Sequence, residues 1–117
     1  MFLLYHDPPV VNVTIGNKAV GKRILICHAY GVPGIYMYSK WEHMSSFGEH
    51  IRFLDGFDNG TLILPYLNES DSYQDNGIYM CTVNNGIPDV EGSINQTGVT
   101  SINVKGMYYL SNSPRLN

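Results

Sequence analysis

The stretch Asp75-Asn-Gly-Ile-Tyr-Met-Cys81 decides how this chain is read. In an extended strand, side chains alternate between the two faces. Asp75, Gly77, Tyr79 and Cys81 therefore share one side, and Asn76, Ile78 and Met80 share the other. A tyrosine and a cysteine on one face mark that face as buried and the strand as a candidate for covalent tethering. The tether needs a second cysteine.

Cys27 is the one other cysteine in the 117 residues. Two free thiols are the default in a cytosolic protein. Four glycosylation sequons point to an oxidising compartment instead: Asn12-Val-Thr, Asn59-Gly-Thr, Asn68-Glu-Ser and Asn95-Gln-Thr. A Cys27–Cys81 disulfide is expected on these grounds. Closing that loop would restrict the unfolded chain by roughly 4 kcal/mol in the chain-entropy model. A metal site is a poor alternative. His28 follows Cys27 directly and would point the other way on a strand, and His6, His43 and His50 show no ligand spacing.

Length allows one domain with a modest core. The net charge of −3 speaks against a nucleic-acid surface. No apolar run approaches the ~18 residues of a membrane span. The opening MFLLY is too short for a signal-peptide core, so a mature fragment with an initiator Met is expected, tethered to a membrane only through something outside this chain. The expected organisation is an extension over 1–7, a domain over 8–105 and a linker over 106–117.

Outward from the opening stretch, β-rich runs recur about every ten residues, with turn signals between them. They are VVNVTI (10–15), KRILICHA (22–29), IYMYSKWEH (35–43), HIRFLD (50–55), TLILPYL (61–67), GIYMCTV (77–83) and GVTSINV (98–104). Gly16-Asn17-Lys18 and Asn59-Gly60 are turn sequences among them. No stretch carries a 3.6-residue apolar period over three turns. Short strands without helices imply an all-β sandwich or barrel.

With Cys27 on the second run, Trp41 on the third and Tyr79-x-Cys81 near the end, the chain resembles the immunoglobulin superfamily. Gly31-Val-Pro33, Leu62-Ile-Leu64 and the Asp-x-Gly-x-Tyr-x-Cys pattern carry the same resemblance, over about 8–105. The cysteine spacing is closest to an intermediate, I-set-like type. The resemblance implies two antiparallel sheets joined by a B–F disulfide packed on Trp41. It also implies Leu62 and Leu64 in the core, a tyrosine corner at Tyr79 and an ion pair between Arg52 and Asp75. Two departures stand out: Arg23 at an inward position of strand B, and a connection from Leu67 to Asp75 about four residues longer than usual. The ending NNGIPD…QTG…VKG resembles immunoglobulin domains of invertebrate multidomain surface or secreted recognition and adhesion proteins.

Catalytic patterns are absent from the sequence: no Gly-x-Ser-x-Gly elbow, phosphate-cradling glycine loop or His/carboxylate cluster with metal spacing occurs. No cofactor is implied. The expectation is a non-enzymatic, extracellular protein-binding module for adhesion or receptor recognition, homophilic or heterophilic. If Trp41 faces in, then Met37, Ser39 and His43 share its parity, and Tyr36, Tyr38, Lys40 and Glu42 face out. With Ile78 and Met80 on the neighbouring strand, Tyr36, Tyr38 and Lys40 would form the binding face. A second candidate is the loop end, where Tyr30, Asp55, Asp58, Asp89 and Glu91 would gather to attract a basic partner, a microbial glycan or a weakly held Ca²⁺. A third expectation is a spacer between neighbouring domains. Lys18 and Lys22, near Glu69 and Asp71, are expected to balance surface charge.

Overall fold

The computed structural model describes residues 5–16, 23–65, 67–68 and 70–103. The expected turn beyond Gly16, Lys18, Lys22, Glu69 and the linker over 106–117 lie outside the described residues.

Runs rich in β-branched and aromatic residues form the strands, as their fit to a pleated, half-buried surface requires. β1 (Asp7–Ile15), β2 (Arg23–Val32) and β6 (Thr61–Leu64) make one antiparallel sheet in the order β1-β2-β6. The second antiparallel sheet contains β3 (Met37–Tyr38), β4 (Trp41–Met44), β5 (His50–Leu54), β7 (Gly77–Asn84) and β8 (Gln96–Ile102). β3 and β4 lie end to end along one edge of β7, with β8 along the other and β5 outside β4. The result is a two-layer β-sandwich.

Its core is assembled from both inner faces. Val11, Leu25, Cys27, Leu62 and Leu64 come from the first sheet, and Trp41, Tyr79, Cys81, Val83 and Ile102 from the second. Full burial of each large apolar side chain stabilises by about 1.5–3 kcal/mol. Cys27 and Cys81 form a disulfide between β2 and β7, with Cα atoms 6.2 Å apart. β7 alternates buried and half-exposed residues along its whole length, as the opening stretch requires.

Gly77 begins that strand for a steric reason. Its φ is 134°, and a Cβ there would lie 2.1 Å from the Met44 carbonyl oxygen. No side chain fits. The long connection before it ends in a 3₁₀ turn, Ser72–Asp75, which delivers Asp75 beneath the sandwich.

One expectation from parity is corrected here. Tyr38 faces Val83 across the sheet, whereas His43 faces Tyr79, so five steps along β3–β4 match four along β7. The extra residue falls at Ser39–Lys40, where the Ser39 N–H donates to the Thr82 carbonyl at 3.0 Å. Such a bulge reverses which face each side chain meets. Tyr36 and Tyr38, expected outside, instead pack partly buried against the core. Met37, expected inside, is 69% exposed. The Tyr36 hydroxyl accepts from the Gly31 N–H at 2.7 Å and donates to the Gly31 carbonyl at 3.1 Å.

Candidate functional site

The outward face of the five-stranded sheet carries an apolar row. Phe53 on β5 lies opposite Glu42 on β4, Glu42 opposite Met80 on β7, and Met80 opposite Val99 on β8. Strand spacing makes this row about 14 Å long. Phe53 is 60% exposed and Val99 55%, with Met80 half-buried between them. The next row places Met44 opposite Ile78, and Ile78 opposite Ser101. Glu42 interrupts the patch less than its charge suggests. Its carboxylate lies 2.8 Å from His50 Nδ1, and the His50 ring packs on Phe53 with centroids 4.6 Å apart. Lys40 is exposed and lies 2.9 Å from Asp55 at the border.

Of the residues expected on this face, Ile78, Met80 and Lys40 lie on it, while Tyr36 and Tyr38 do not. Phe53, Val99 and Met44 were not anticipated. Two signals were available: counting from Arg52, expected to reach inward, places Phe53 outside, and the alternation of GVTSI around an apolar Ile102 places Val99 outside.

Beneath the same sheet lies a buried ionic cluster. Asp75, with its side chain 3% exposed, receives Arg23 Nη1 at 2.6 Å on one oxygen and Arg52 Nη2 at 3.1 Å on the other. Arg23 thus occupies its inward position because a carboxylate awaits it, which sequence parity alone did not reveal. Arg52 Nε also donates to His43 Nδ1 at 3.0 Å. That bond leaves His43 Nε2 as the protonated nitrogen, donating to the Asn76 carbonyl at 2.8 Å. The His43 ring is fully buried and stacks on Tyr79 at 4.2 Å between centroids. Tyr79 in turn donates its hydroxyl to the Asp75 carbonyl at 2.6 Å.

Burial sets the titration of both rings. It pushes the Tyr79 hydroxyl up to about 12, against the opposing hydrogen bond from Arg52. It holds His43 below the ordinary histidine value, and the Arg52 charge adds to this, outweighing the Asn76 carbonyl and Asp75.

The loop end is organised differently. The Asp89 carboxylate accepts from the Ser93 N–H at 2.9 Å and the Glu91 N–H at 3.0 Å, so it builds its own turn. Those backbone bonds, Ser93 first, hold its carboxyl below the usual carboxylate range. Glu91, Asp58 and Tyr30 are exposed, and Asp55 is drawn to Lys40. An open groove lined by residues 6–8 and 87–90 runs beside the loop. Asn85, buried, clamps this end: its Nδ2 donates to the Asp7 carbonyl at 2.8 Å and the Pro33 carbonyl at 3.0 Å, and its Oδ1 accepts from the Ile87 N–H at 3.1 Å.

Among the described residues, no group of three or more His, Cys, Asp or Glu side chains could hold a metal ion, and no helix is long and apolar enough to cross a membrane. Asn12 on β1 and Asn59, Asn68 and Asn95 in connections are exposed. Set against known proteins, the chain matches no family model, no curated protein and no solved structure.

Proposed function

We propose that this is an extracellular, non-catalytic immunoglobulin-like module of the I-set-like type, which binds another protein through the outward face of the five-stranded sheet. The observation that carries the reading is the row Phe53–Met80–Val99, three apolar side chains aligned across β5, β7 and β8 on a face that no other part of the described chain covers. Aligned exposed hydrophobes on one sheet favour a contact surface over scatter. The disulfide fits an oxidising compartment. Sugars on Asn12, Asn59 and Asn68 would lie off β4, β5, β7 and β8, and Asn95 stands at the start of β8, away from the row's centre. The partner is a protein, either a second copy, as in homophilic adhesion, or a different chain, as in receptor recognition. The acidic loop end supports ligand recognition less well, because Asp89 is committed to its own turn.

The test replaces Phe53→Asp and Val99→Lys together. Self-association by sedimentation, and capture by displayed extracellular domains including this one, should weaken by about 30-fold or more, the scale of a lost interface anchor. The melting temperature should barely change, since both side chains are exposed. Binding equal to the parent's would remove the face from consideration.

A further inference from the structure

The buried histidine has no part in a contact surface, yet it sits one strand from the surface's edge. We propose that His43 is an acid-released latch on β5: neutral, it holds Arg52 and with it the edge strand; protonated, it lets that strand go.

The argument begins with hydrogen-bond polarity. An arginine Nε always carries a proton and can only donate. The 3.0 Å bond from Arg52 Nε to His43 Nδ1 therefore requires a bare Nδ1. A proton added there turns an attraction into two donors facing each other, with like charges. Among the described residues, the acceptors near the guanidinium are already engaged, the Tyr79 hydroxyl by Arg52 itself. His43 Nε2 is committed to the Asn76 carbonyl, and Asp75 gives one oxygen to each arginine.

The charges that act on the ring are Arg52 from β5 and Asp75 from the 3₁₀ turn; Arg23 from β2 shares Asp75, and the Tyr79 ring from β7 stacks on the imidazole. Two positive charges already share one negative charge. A third positive charge in a desolvated site has nothing to pair with. On β4 itself, Glu42 points outward to His50 and cannot compensate from inside.

β5 is the element to yield. Among the described residues it is an edge strand paired only with β4, and that pairing is already irregular between His43 and Met44. After protonation, Arg52 keeps its 3.1 Å bond to Asp75 and its hydrogen bond to the Tyr79 hydroxyl, but loses the one that ties it to β4.

The direction with pH follows from linkage. Above the ordinary value of about 6.5, His43 is neutral in the folded and unfolded chain alike, and the latch is at full strength. Between 6.5 and the lowered folded value, the unfolded or opened chain binds more protons, so stability falls as pH falls. The surface pair His50–Glu42 spans the same two strands on the outward face, so His50 serves as the control.

Phe53 is the next residue after Arg52 on β5, so opening this strand removes Phe53 from the outward row. That consequence rests on the reading of the face as a contact surface. The latch does not.

The test uses the isotopically labelled full chain without any partner. Imidazole nitrogen shifts followed from pH 8 to pH 5 should find His43 in the neutral Nε2–H form at high pH and charging below the value of a free histidine. Amide exchange, expressed as opening equilibria, should show residues 51–54 opening more in acid, by up to about tenfold per pH unit, the limit for one proton. Residues 79–83 of β7 should stay protected. His43→Gln, which can still accept from Arg52 and donate to Asn76 but does not titrate, should abolish the response, and His50→Gln should retain it. The proposal fails if His43 charges at or above 6.5, if β5 opens equally at both pH values, or if His43→Gln responds as the parent does. Should that variant not fold, the titration and exchange of the parent decide. Acid-opened β5 with unchanged partner binding would overturn the contact-face reading and leave the latch standing.

Discussion

The two ends of the sandwich each hold a buried polar side chain, but the chemistry differs. At one end Asp75 carries a full charge and joins both sheets: Arg23 reaches it from β2 and Arg52 from β5. At the other end Asn85 carries no charge and ties the loop after β7 to backbone carbonyls of Asp7 and Pro33. A charged tie needs its whole complement, because each unpaired ion left behind is costly in a desolvated site. A neutral tie loses only its own bonds. One end is therefore sensitive to single substitutions and to protons, and the other is neither to the same degree.

The largest effect should come from the charged end. Asp75→Asn leaves Arg23 and Arg52 without a counter-charge and should cost about 3 kcal/mol in urea unfolding, the low end of the range for breaking a buried pair, because water reaches part of both arginines. Removing Arg23 as well, as Asp75→Asn with Arg23→Leu, should recover part of that loss. Next comes the neutral end. Asn85→Ala removes the partner of two carbonyls and one N–H in part-buried bonds and should cost about 1–3 kcal/mol. If Asn85→Ala costs as much as Asp75→Asn, charge is not what distinguishes the two ends. The smallest effect is expected at the surface, where Lys40 and Asp55 lie 2.9 Å apart but remain largely in water. Lys40→Ala should change stability by less than about 0.5 kcal/mol, and a larger change would mean that exposure is a poor guide to ionic strength here.

How far the sequence could be read depended on anchors. Tyr79 and Cys81 anchored β7, and every alternate residue along it fell on the expected side. The all-β sandwich was legible for the same reason: short alternating runs, turn dipeptides and two cysteines on opposite sheets. Counting from Trp41 back to Tyr36 failed because period-two parity passes its error to every residue beyond a bulge. Nothing in Ser39-Lys40 marks one, since neither residue is a glycine or a proline. The inward parity of His43 was legible, but its partners come from β5 and from the connection before β7, and local pattern does not encode such distant neighbours. Arg23 looked like an irregularity until the carboxylate of Asp75, 52 residues away, was seen to meet it.

The inward turn of Arg52 has a further consequence, for aggregation. An edge strand offers its unpaired backbone to any other strand, and β5 also carries the exposed Ile51 and Phe53. A slip of one residue along β4 would expel Arg52 into solvent and press Phe53 against the carboxylate of Asp75. Both changes are unfavourable, so the cluster penalises the misaligned pairing in which a sticky edge would be most dangerous. Loss of Arg52 would remove that penalty, and chains that still fold would be expected to accumulate as insoluble material during refolding.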